Sequence, residues 1–69
     1  MTQPHNRRAS FAVHVEEQEG SWSVYLQRLP IMGLQFHRHG VRPFQDATDA
    51  TRYADELAET HGGVAVVYH

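Results

Sequence analysis

The chain has 69 residues, a formal net charge of −2, no cysteine and no lysine. That length holds one domain with a core worth only a few kcal/mol. The missing residue types exclude disulfides, thiolate metal sites, cysteine nucleophiles, Schiff bases and a phosphate-loop lysine, and the negative charge argues against a non-specific nucleic-acid binder.

The charge is unevenly spread. Arg7, Arg8, Arg28, Arg38 and Arg42 outnumber Glu16, Glu17 and Glu19 in residues 1–45, whereas residues 46–69 set five acids against Arg52. A basic front and an acidic helix follow as complementary surfaces. The amino-terminal stretch has arginines but no apolar run of signal-peptide type, and no span is long enough to cross a bilayer, so a cytoplasmic protein without membrane contact is expected.

Residues 1–9 lack periodicity and contain Pro4, which reads as a loosely held tail before a single α/β domain over 10–69. In "SFAVHVEE", Phe11, Val13 and Val15 alternate with Ala12, His14 and Glu16, the period of a half-buried strand. "QEGS" is a turn. "WSVYLQRL" alternates again, with Trp22, Val24 and Leu26 inward and Tyr25 outward, so a hairpin is expected.

"PIMG" breaks the second strand, and Leu34, Phe36 and the following histidines make a third extended segment. Pairing Leu34 and Phe36 with the Trp22 face would leave His37 and His39 outward. A tight turn would oppose Leu29 to Leu34 instead, so a bulge or a longer loop is expected.

Asp46 suits a helix N-cap, with Asp49 three residues on. Ala47, Ala50, Tyr53, Ala54, Leu57, Ala58 and His61 form one stripe at helical spacing. Gly62 can take the left-handed cap conformation. The closing "VAVVY" is a strand with apolar residues on both faces, which predicts that it is not a bare edge.

These elements predict an α+β domain in the order β-β-β-α-β. Its sheet is mainly antiparallel with strand order 3-2-1-4, one helix packs on one face, and a right-handed crossover lays the last strand parallel to the first. The expected core is Phe11, Val13, Val15, Trp22, Val24, Leu26, Phe36, Leu57, Val64 and Val66.

Trp22 and Val24, the helix residues Ala50, Ala54, Leu57 and Ala58, and the closing Gly62, Val66 and Val67 make a pattern of tryptophan-x-valine strand, alanine-rich helix and glycine-x-x-x-valine-valine ending. In this the chain resembles a small bacterial domain family of unknown function found mostly in short stand-alone proteins. The likeness covers roughly two thirds of the chain and rests on packing residues. It implies the fold and carries no active site. The segment between Trp22 and the helix is longer here than in that family, and its polar tail has no counterpart.

Four chemistries compete for the remaining residues. An extended strand would hold His37 and His39 on one face about 6–7 Å apart, a spacing that chelates zinc or nickel, with His14 or His69 as a third ligand. Arg38 and Arg42 with Arg28 and Tyr25 would suit phosphates and stacked bases, although arginine on an exposed strand also blunts edge pairing. Ser10, Ser21 and Ser23 adjoin histidines only in sequence, and Asp55, Glu56 and Glu59 read as a solvated helix face, so no enzyme and no cofactor are expected.

The leading expectation is an interaction module that self-associates or binds a protein partner through the open sheet face. Its candidate residues are Tyr25, Arg28, His37, Arg38, His39, Arg42 and Val67. Weak nucleic-acid binding and a histidine metal site stand as alternatives.

Overall fold

Alternation of Phe11, Val13 and Val15 with smaller or polar neighbours builds strand β1, Phe11–Gln18. The computed structural model describes residues 11–69, so the tail expected over residues 1–9 lies outside the described residues. Glu19 and Gly20 both take positive φ, at 54° and 84°, in a two-residue turn whose twist matches that of the flanking strands. Strand β2, Ser21–Arg28, therefore pairs antiparallel with β1, from Gln18 opposite Ser21 to Phe11 opposite Arg28.

Strand β3, Arg38–Phe44, pairs antiparallel with β2. Helix α1, Ala47–Thr60, and strand β4, Ala65–Tyr68, complete the chain. The sheet order is β3-β2-β1-β4, and β4 runs parallel to β1 with Val13 opposite Val66. The expected succession, strand order and parallel closing pair are all present in a mixed sheet. No described helix is long and apolar enough to cross a membrane.

The helix ends are built as their residues require. Asp46 holds the extended backbone of an N-cap, and its carbonyl accepts from the Ala50 N–H at 3.1 Å, although its side chain makes no cap hydrogen bond. At the other end Gly62 has φ 86°. Its N–H donates to the Glu59 carbonyl at 3.1 Å and that of Gly63 to Ala58 at 2.8 Å, the paired bonds of a left-handed glycine cap.

Three expectations are corrected. The third strand begins at Arg38 rather than Leu34, because Ile31 and Leu34 close a small turn of their own through mutual backbone hydrogen bonds of 3.3 and 2.9 Å. Phe36 consequently lies in the connecting loop, half-buried beneath the Arg28 guanidinium, and the position opposite Trp22 belongs to Phe44. The expected bulge is real but lies within the strand. Tyr25 faces both Gly40 and Val41, since Leu26 pairs with His39 and Val24 with Arg42, and Gly40 at φ 63° supplies the turn in the backbone. Finally, β4 is an outer strand of this sheet rather than a covered one.

The core is thin. Val13, Val15, Val24, Val64 and the alanines Ala50, Ala54 and Ala58 are buried, with Phe11, Trp22, Leu26, Phe44, Tyr53, Leu57 and Val66 packed around them. Ala47 and His61, expected on the same stripe, are exposed because they sit at the helix ends, beyond the sheet. Among the described residues the largest side chains wholly buried under the helix are Val13 and Val24, so the close approach of an alanine-faced helix replaces bulk. Ala54→Leu should therefore cost about 1–3 kcal/mol by overpacking, whereas Glu56→Leu on the exposed face should change stability by less than about 0.5 kcal/mol. Urea unfolding of the two variants checks this, and equal midpoints would show that the helix is not held against the sheet by its alanines.

Candidate functional site

The sheet face opposite the helix is built by the second residue of each alternating pair. His14 on β1 lies between Tyr25 on β2 and Val67 on β4. The His14 ring stacks on Tyr25 at a centroid distance of 5.1 Å and 10°, and meets His69 edge to edge, the two imidazoles nearly coplanar at 17° with centroids 5.1 Å apart. His69 is placed by its N–H, which donates to the Val15 carbonyl at 2.9 Å and so extends the β1–β4 ladder. His14 Nδ1 and His69 Nε2 are 2.8 Å apart, one ring nitrogen donating to the other.

Arg38 completes the row from β3. Its guanidinium lies 4.5 Å from the centre of the Tyr25 ring, and its Nη1 donates to Glu16 Oε1 at 3.2 Å. Both partners of that ion pair are well exposed, so it contributes at most about 1 kcal/mol. The larger effect is cover. Tyr25, expected outward on the open sheet face, is only 2% exposed, because Arg38 and His14 occupy its two faces. No platform for a nucleic-acid base is left on that ring.

The connecting loop closes one side. Gln27 Nε2 donates to the Phe36 carbonyl at 2.8 Å, and the Arg28 guanidinium sits 5.0 Å from the Phe36 ring centre. With Glu16, Gln27, Arg28, Pro30 and Gln35, the row encloses a cleft of about 270 Å³.

Four of the seven candidate residues lie on this side: Tyr25, Arg28 and Arg38 line the cleft, and Val67 is half-buried beside His14. The other three do not join them. Arg42 pairs with Val24 and so projects from the helix side, 5.1 Å from the centre of Tyr53 and 5.7 Å from that of Phe44. His39 pairs with Leu26, which puts it on the helix side as well, and His37 is exposed just before β3. The pleat itself turns His39 away from its neighbour Arg38, and the bulge at Gly40 puts Arg38 and Arg42, four residues apart and otherwise on one face, on opposite faces. Among the described residues no three histidine, cysteine or acidic side chains form a group able to hold a metal ion.

Sequence reasoning missed the part played by His14, Glu16 and His69. His14 and Glu16 share a face two residues apart, a signal that was legible. The place of His69 depends on the parallel register with β1 and had no local signal. The uncharged residues Pro30–Gly33 were read only as a strand break and Leu34 as the start of the third strand, although Ile31, Met32 and Leu34 prove exposed.

Compared with protein-family models, curated proteins and solved structures, the chain has no significant match in any of the three.

Burial holds the His14 imidazole below its ordinary pKa, His69 and Arg38 push the same way, and Glu16 opposes them. Burial likewise raises the Tyr25 phenol, against Arg38 and with Glu16. A depressed histidine stays neutral in the folded chain where the unfolded chain already binds a proton. The stability it supports is present above about pH 6.5 and is lost as pH falls through that value and then through the folded pKa. The unfolding midpoint should accordingly drop on acidification below about pH 6.5, and His14→Gln should flatten that drop. NMR titration of the His14 ring checks the cause, and a titration midpoint at or above about 6.5 would contradict it.

Proposed function

We propose that this chain is a small non-enzymatic interaction module, working without a cofactor, that self-associates through the apolar loop Leu29–Leu34. The observation that carries the reading is Met32, a large apolar side chain that is 94% exposed on a backbone of φ 53°. A non-glycine residue in that left-handed region costs about 1 kcal/mol or more, and asparagine or glycine would avoid much of it. Methionine here gives the fold nothing in return, since it packs on nothing.

Leu29, Ile31 and Leu34 surround it, and the whole stretch carries no charge. Two copies meeting there about a two-fold axis would bring apolar against apolar with no like charges opposed. Burial at about 25 cal/mol per Å² would also add to a thin core. A partner protein with an apolar patch is the other occupant that a test must separate from a second copy.

Met32→Asn distinguishes a contact residue from a turn residue. It should raise the unfolding midpoint at low protein concentration, by relief of the left-handed backbone, while weakening association. Sedimentation velocity across a concentration series should show the parent growing heavier toward high micromolar concentration and the variant lagging behind it. A parent that remains monomeric throughout would overturn self-association.

A further inference from the structure

We propose that the cleft between Arg28 and Arg38 on the open sheet face is a binding site for an oxyanion, a carboxylate or phosphate group carried by a ligand. Its charged and hydrogen-bonding groups lie outside the apolar loop Leu29–Leu34, and it stands or falls separately from self-association. Each guanidinium is set by an aromatic ring, Arg38 at 4.5 Å from the centre of Tyr25 and Arg28 at 5.0 Å from that of Phe36. A guanidinium held over a ring face is positioned by that contact while its remaining N–H donors stay available, and guanidinium is the planar fork that recognises an oxyanion.

The local charge is unbalanced in the same direction. Glu16 takes one Nη1 hydrogen bond from Arg38, and Arg28 forms no ion pair among the described residues. Two cations and one carboxylate thus line the cleft. Gln35 adds an amide, and the His14–His69 pair adds ring nitrogens at the far wall. A volume of about 270 Å³ lies at the small end for ligand sites, suited to an anionic head group with a short attachment rather than a whole cofactor.

The competing account is that Arg38 and Arg28 only cover Tyr25 and Phe36. Titration with sodium phosphate and, separately, with sodium succinate, at ionic strength held constant with sodium chloride, decides between the two. The readout is the NMR signal of each arginine Nε–H. Saturable shifts are expected at Arg28 and Arg38 but not at Arg52, which lies on the helix. Arg28→Gln, with its backbone amide spectrum otherwise preserved, should weaken binding about tenfold, as loss of a charge-assisted hydrogen bond does. Saturation by phosphate alone or by succinate alone assigns the source of the oxyanion. Overturning results would be shifts no larger than those given by chloride, or saturation unchanged in Arg28→Gln.

Discussion

The rest of the structure depends on how closely helix α1 approaches the sheet. Ala50 and Ala54 are fully buried and Ala58 nearly so, and they bring the helix backbone down onto Val13 and Val24. In a chain of this length few large side chains are available to fill a deeper layer, so close approach substitutes for volume. The larger residues are displaced to the perimeter, where Trp22, Phe44, Tyr53 and Leu57 form a half-buried rim. Arg42 seals part of that rim by lying over Phe44 and Tyr53.

A single helix covers one face only, and the chain treats the other by a different device. Instead of an apolar strip awaiting a second layer, the open face carries Arg38, Tyr25, His14 and His69 standing in a row across the strands. Arg38 and His14 shield the Tyr25 ring, and His69 hydrogen-bonds to the edge of His14. Tyr25 is buried without any apolar layer above it. This arrangement removes much of the reason for two copies to pair through the sheet face and leaves a cleft with positioned donors in its place.

Most of the exposed large apolar side chains, Leu29, Ile31, Met32 and Leu34, sit instead on the loop between β2 and β3, with Val41 and Tyr68 exposed on the outer strands. The loop's small turn holds Met32 outward at a backbone cost, while Gln27 and Arg28 tie the returning segment to β2 through Phe36. Loop and cleft are neighbours, since Pro30 and Gln35 belong to both. Anchoring by one polar and one cation–ring contact positions the loop without burying its apolar tip.

By itself the sequence determined the β1–β2 hairpin, the helix with its alanine stripe, its Gly62 cap and the parallel last strand, because each rests on a local period or a local backbone requirement. Val13 and Val24 were legible as core for the same reason, Ala50 and Ala54 as the helix stripe, and Tyr25 and Val67 as the opposite face. Only the tertiary structure decided the third strand. The Ile31–Leu34 turn and the bulge at Gly40 each move the register without altering the hydrophobic pattern, and a one-residue shift reverses every side chain beyond it. The late start of β3 put Phe44 opposite Trp22 and left Phe36 in the loop, and the bulge, counted back from Phe44 and Arg42 on the helix side, turned His39 to that side as well and Arg38 to Tyr25. The meeting of His14 with His69, 55 positions apart, was likewise beyond local reading, because it follows from the parallel register of β4 on β1.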